Sequence, residues 1–299
     1  MKHNRISFHD QIARNKRNSI FLILCVALVL VGLVYAIGLA MGGDIFFIGI
    51  FASIFSIGYI LIVYHKSSKI ALWSVNAKLA QRSHYPQYHN LVEGLCLASG
   101  MPKPKLYIME NSQINAFATG KNPQESVICV TTGCLEKLNK QELEGVLAHE
   151  LAHIANYDIR FMTLTAILVG LISIIAQVFL RTLFWSSMFG GRRGGGGDGR
   201  GQIILIVISI VLAILAPIFV MLVQLAISRK REYVADATAV QFIRSPTGLI
   251  GALKKIKDNS EMKVPQAVAP LFLSKPARKS EIFSTHPPLE KRIQVLEKM

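Results

Sequence analysis

Four long apolar runs limit what this chain can fold into more than any other feature. Ser19–Met41, Ile45–Tyr64, Arg160–Leu180 and Gln202–Ile227 each reach the roughly 20 residues that a helix needs to cross a bilayer core. They account for a hydrophobic share of 52% and a mean hydropathy of +0.41, and together they predict about four transmembrane helices. The first run is longer than the roughly 7–15-residue apolar core of a cleaved leader. It also lacks a clear small-residue cleavage site, so it reads as an anchor.

The net charge of +15 is distributed as a membrane protein distributes it. Lys2, Arg5, Arg14, Lys16 and Arg17 precede the first run against a single acid, Asp10, and Lys66 and Lys69 follow the second. The turn Gly42-Gly43-Asp44 between them has no positive charge. By the positive-inside rule the N-terminus and the segment after the second helix are cytoplasmic. Contact with the lipid bilayer's anionic headgroups accounts for the remaining basic excess, and no nucleic-acid partner is expected. The loop Arg181–Gly201 breaks the pattern, with Arg181, Arg192, Arg193 and Arg200 against Asp198. It is either the tip of a crossing hairpin with an atypical loop, or part of a hairpin buried within the protein. Both give an even number of crossings, and the Gly-rich stretch within the loop has the composition of a flexible linker. Cys25, Cys96, Cys129 and Cys134 lack paired spacing, which favours a reducing compartment over a disulfide framework.

The chemistry lies in His149-Glu150-Leu151-Ala152-His153. Lys140 to Asn156 reads as a helix, with Leu143, Val146, Leu147, Leu151 and Ile154 at helical spacing, and with Asn139 and Glu142 as its capping pair. On that helix two histidines four apart share one face, so both imidazoles can bind one metal ion. Glu150 stands beside the first of them, where its carboxylate can serve as the general base of a hydrolysis. A structural His pair on an amphipathic helix is the bland alternative, and the capped helix context weighs against it.

A catalytic zinc needs a third protein ligand. Asp158, five residues after His153, could return through a turn; Glu232 lies far downstream in Ser228-Arg-Lys-Arg-Glu-Tyr-Val-Ala-Asp236. Glu232 and Asp236 are four apart, so Glu232 could bind the metal while Asp236 orients a ligand histidine through its other ring nitrogen. Both candidates stay open on spacing alone, with Glu232 the stronger. The fourth run extends about 39 Å as a helix, beyond a core of about 30 Å. It can therefore continue out of the bilayer and carry Glu232 to the His pair, with Pro217 as the place for a kink.

Taken together, His149–His153, Glu232-Tyr-Val-Ala-Asp236, Asn115-Ala-Phe-Ala118 and His286-Pro-Pro-Leu-Glu-Lys-Arg292 resemble the HtpX-type membrane zinc metalloproteases, relatives of the CAAX prenyl proteases. The resemblance spans nearly the whole chain, including the order of its apolar segments. It implies one Zn2+ per chain held by His149, His153 and Glu232, with Asp236 supporting a ligand. It places Asn115 and His286 at the substrate, His286 as a stabiliser of the oxyanion, and Arg292 as a buried partner of acidic site residues. It also implies a zincin-like α+β catalytic domain combined with the membrane helices, mainly α with a small β-sheet. Its location would be the bacterial inner membrane, with a role in protein quality control and stress response.

The chain then divides into a basic cytoplasmic N-terminus (1–18), a transmembrane hairpin (19–64), a catalytic segment (65–159), a second hairpin (160–227, Gly-rich loop 181–201) and a C-terminal part of the catalytic domain (228–299). Within it Pro86–Ser99 reads as a helix stopped by Gly100, and Lys105–Met109, Ile114–Thr119 and Val127–Thr131 as short strands. An edge along Asn115, Ala116, Phe117 and Ala118 would let an extended polypeptide add as a strand, held mainly by backbone bonds. The expected activity is cleavage of misfolded or membrane-associated polypeptides at the cytoplasmic surface. The competing reading is a non-catalytic metal-binding membrane scaffold or transport subunit, which the scarcity of ionisable residues inside the four runs disfavours.

Overall fold

A computed structural model describes residues 8–40, 44–189, 199–258, 265, 268–273 and 287–299. All four apolar runs fall in long helices: α1 (Phe8–Ala40), α2 (Ile45–Ser74), α6 (Asp158–Phe189) and α7 (Gly199–Ile243). They pack on one another as a bundle, with α1 and α6 each touching the other three. Ile45–Ser74 and Asp158–Arg181 are each long and apolar enough to cross a bilayer, and Leu24–Leu39 and Ile206–Ile218 are shorter apolar stretches among the described residues. The α2 face turned away from the bundle carries Phe46, Phe47, Phe51 and Ile54, all exposed. A continuous apolar surface of this kind needs an apolar surrounding. The part of the Gly-rich loop at 190–198 lies outside the described residues.

Between the two pairs of long helices lie β1 (Lys78–Leu79), α3 (Pro86–Ser99), β2 (Lys105–Met109), β3 (Ala116–Gly120), β4 (Ser126–Thr131), α4 (Thr132–Lys137) and α5 (Lys140–Ala155). The strands form one mixed sheet in the order β1-β2-β4-β3, parallel between β2 and β4 and antiparallel elsewhere. Period-two alternation divides the side chains between two cores. Leu106, Ile108, Ala116, Ala118, Ile128 and Val130 face a core shared with α3, α5 and α8 (Thr247–Asp258). Met109, Phe117, Val127 and Cys129 face the top of the helix bundle, with Phe161 and Leu72. The sheet is thus wedged between α5 and the bundle of long helices. That arrangement explains why β4 reads as an uninterrupted buried strand.

Helix α5 begins on the capping pair expected from the sequence: Asn139 Oδ1 accepts from Glu142 N at 2.9 Å, and Glu142 Oε2 accepts from Asn139 N at 2.8 Å. Helix α3 ends at Gly100, in the left-handed region at φ 69. The short strand β1 and the one-and-a-half-turn α4 were not legible in the sequence, because two or six residues carry no usable period.

Helix α8 crosses α5 closely through two glycines. A Cβ on Gly145 would run into the backbone of Gly248 and Leu249, and one on Gly248 into that of Gln141. Overpacking of this kind typically costs about 1–3 kcal/mol. Gly145→Ala is therefore expected to lower the thermal unfolding midpoint in detergent. Gly94→Ala, at a helical position with open space around it, should leave the midpoint unchanged or raise it.

Candidate active site

The α5 face carrying His149 and His153 is turned toward α7, which runs unbroken through Pro217 and delivers Glu232 and Asp236 beside it. His149, Glu150, His153, Glu232, Asp236, Asp158 and Arg292 are all buried, none more than 3% exposed. The charged stretch before Asp236 is therefore not a solvated flank on this face.

The two imidazoles meet through their Nε2 atoms, 3.1 Å apart. Glu232 reaches both, Oε2 lying 3.6 Å from His149 Nε2 and Oε1 3.6 Å from His153 Nε2. The ligand-type atoms of all three residues lie within 4.8 Å of one another. Each histidine is held from behind by a carboxylate: His149 Nδ1 is 2.9 Å from Asp236 Oδ1, and His153 Nδ1 is 3.2 Å from Asp158 Oδ2. With each Nδ1–H donating to its carboxylate, both Nε2 atoms present lone pairs toward Glu232. Three donors converging in a buried space repel one another unless a cation lies between them. Two imidazoles and one carboxylate are a fitting set for zinc with a further position left open.

The local field agrees. Burial and the Arg292 guanidinium act to lower the pKa of His149, but hydrogen bonds to Asp236 and Glu232 outweigh them and raise it to about 9. Burial acts to raise Asp236, yet Arg292 and His149 hold it below the usual carboxylate range. Burial raises Glu150, with the two histidines opposing it. Glu150 is a buried carboxyl with elevated basicity beside the His pair, as proton-transfer chemistry requires.

Arg292, on α9 (Leu289–Leu296), forms a bidentate pair with Asp236, Nη2–Oδ1 at 2.6 Å and Nε–Oδ2 at 2.9 Å, and its Nη1 lies 3.1 Å from Glu232 Oε2. A second, looser arginine–carboxylate pair lies behind His153. Arg231 places Nη1 3.5 Å from Asp158 Oδ1 and stacks 3.8 Å over the ring of Phe161. Asp158 thus backs His153 rather than joining the cluster of ligand-type atoms. The reversal between α5 and α6 makes this possible, with Tyr157 at φ 59. A left-handed conformation is costly for a bulky residue, and only the spacing of Asp158 from His153 hinted at it. Nothing in the sequence marked Arg231, which sits among other basic residues.

Asn115, Ala116, Phe117 and Ala118 lie at β3, the outer strand of the sheet, as expected, but the edge is covered and all four are buried. The covering segment is the chain's own: Leu273 N donates to Ala116 O at 2.9 Å, and the rings of Phe272 and Phe117 stand 4.9 Å apart. The apolar residues of 268–273 have neither helical nor strand period, so nothing local in the sequence marks this pairing. His286 lies outside the described residues.

A helical membrane bundle capped by a small sheet, with a buried His-His-Glu cluster at the join, is the architecture of a membrane metalloprotease. Residues 83–299 match the family model for peptidase family M48, and the chain belongs to that family. A "Protease HtpX homolog" from Caldanaerobacter subterraneus is 47% identical over 253 residues, covering 84% of each chain. A second, from Dictyoglomus turgidum, is 40% identical and covers 98% of this chain and 95% of the relative. A third, from Listeria monocytogenes, is 38% identical, covering 97% and 99%. Among solved structures, the crystal structure of S. mikatae Ste24p is similar over 96% of this chain at 20% identity, with a TM-score of 0.48. This chain spans 66% of that one.

Proposed function

We propose that this protein is a zinc-dependent endopeptidase of the bacterial plasma membrane, cutting misfolded or membrane-associated polypeptides at the cytoplasmic surface. The observation that carries the reading is the convergence of His149, His153 and Glu232, each histidine backed by its own carboxylate. Zinc, when bound there, supplies a Lewis acid for the scissile carbonyl and lowers the pKa of water. Glu150 takes the proton of the attacking water and then passes it to the leaving amine. Asp236 and Asp158 hold the imidazoles in the tautomer that directs Nε2 to the metal. Arg292 neutralises the acidic cluster, and His286 is assigned to the developing oxyanion. Asn115–Ala118 is the docking edge for an extended chain.

The membrane placement rests on the helices. All four long helices are taken to cross, giving two hairpins at 19–64 and 160–227. The segments 65–159 and 228–299 then form one zincin-like catalytic unit beside the cytoplasmic N-terminus, 1–18. Lys66 and Lys69 after the second run support the cytoplasmic side. The site is close to the bilayer, since Asp158, five residues beyond His153, opens α6. Stress-linked quality control fits a protease placed there.

The test is cleavage of an unfolded reporter protein by purified, zinc-loaded enzyme in detergent. Cleavage that stops with a chelator and returns with zinc supports the reading; a zinc-loaded protein that cuts no reporter, with or without lipid, argues for a scaffold. The pair behind His153 gives a separate prediction. Arg231→Met removes the cation beside Asp158 and should weaken zinc binding by less than the roughly 10–100-fold that follows loss of a ligand's own hydrogen-bonding partner. Competition with a chromogenic chelator measures it.

A further inference from the structure

The covered strand edge has a specific occupant. Ala116 bonds away from β4: its N–H donates to the side-chain oxygen of Asn115 at 3.0 Å, and its carbonyl accepts from Leu273 N at 2.9 Å. These are the outward-facing groups that an added strand would use. Phe272 is in an extended conformation, φ −72 and ψ 143, so the chain passes β3 as a short strand-like segment after the turn Ala269–Leu271. Its side chains wrap the edge. Val268, Leu271 and Phe272 join the core on the bundle side, whereas Leu273 joins the core shared with α5. Phe117 meets Phe272, and both are fully buried.

We propose that Val268–Leu273 is a built-in occupant of the substrate-docking edge, which an incoming polypeptide must displace. The inference rests on the peptidase reading above and deepens it by defining the substrate class. A displacing chain has to supply an N–H to Ala116 O and an aromatic or large apolar side chain to replace Phe272 on Phe117. Native proteins bury such side chains and pair such N–H groups, so only unfolded segments offer both together. The device thereby discriminates between folded and unfolded polypeptides. Because apparent affinity falls with the fraction of protein that has the edge free, weakening the occupant should increase activity.

Full-length Glu150→Gln protein in detergent, which binds without cutting, allows the exchange to be observed. Two unstructured peptides are compared, one with a single Phe among Ala and Ser, the other with Ser in place of that Phe. The Phe peptide should bind more tightly and accelerate hydrogen–deuterium exchange at the Leu273 amide at least about tenfold, leaving α5 amides protected. Binding with Leu273 still protected overturns the proposal, as does equal binding of the two peptides or binding of neither. Wild-type cleavage of an unfolded reporter, measured alongside, judges the peptidase reading separately. In wild type, Phe272→Ala should increase kcat/KM toward that reporter about tenfold; a folded variant with reduced kcat/KM contradicts the occupant role. If that variant does not fold, the exchange experiment still decides.

Discussion

Glu232→Ala is expected to deprive the protein of its metal. The substitution removes the one carboxylate that, among the described residues, faces both Nε2 atoms, at 3.6 Å from each, and would leave two ligands where a catalytic zinc needs three. The loss of affinity should exceed the roughly 10–100-fold that follows removal of an outer partner. Arg292 loses its 3.1 Å contact with Glu232 but retains the bidentate pair with Asp236, so the fold is expected to survive. Asp158→Ala is the matched comparison, because its carboxylate supports His153 from the Nδ1 side. It should weaken zinc binding by less than Glu232→Ala does. Zinc measured by chelator competition decides the order. If Asp158→Ala loses the metal while Glu232→Ala keeps it, the third-ligand assignment is wrong.

Glu150→Gln should abolish turnover while leaving zinc in place. General-base catalysis contributes about 10²–10⁴-fold, and this carboxylate would serve both the attack and the departure of the amine. The substituted amide keeps the shape. Glu150 lies outside the cluster of ligand-type atoms, so the substitution removes no ligand from the metal. Burial raises its pKa, which means that the ionised form is held at a desolvation penalty that a neutral amide avoids. The variant should therefore be at least as stable as wild type. Zinc content, thermal midpoint and reporter cleavage on one preparation check all three expectations. Loss of zinc in the variant would contradict the role assigned to Glu150.

What could be read from the sequence depended on how local each signal was. The helix bearing His149 and His153 was legible to within a residue, because its cap and its apolar spacing are both short-range. The long helices followed from hydropathy alone, and the continuity of α7 to Glu232 followed from its excess length. Three of the sheet's four strands are legible within about two residues; β1, only two residues long, is not. Long-range pairings outside those motifs are not legible. The contact between Arg231 and Asp158 joins residues on two different helices, and it depends on a left-handed Tyr157 that no composition rule predicts. The closure of β3 by Phe272 and Leu273 likewise joins distant segments through one hydrogen bond and one ring contact. Spacing kept Asp158 and Glu232 both in play as ligands; only the fold gives the two carboxylates different faces of His153.

X-ray absorption at the zinc edge of the full-length protein in detergent addresses the metal centre itself. The expected result is one zinc per chain with a nitrogen and oxygen shell near 2.0–2.1 Å, imidazole scattering from two histidines, and a reduced shell in Glu232→Ala. A sulfur shell near 2.3 Å, or a wild-type spectrum unchanged by Glu232→Ala, would contradict it.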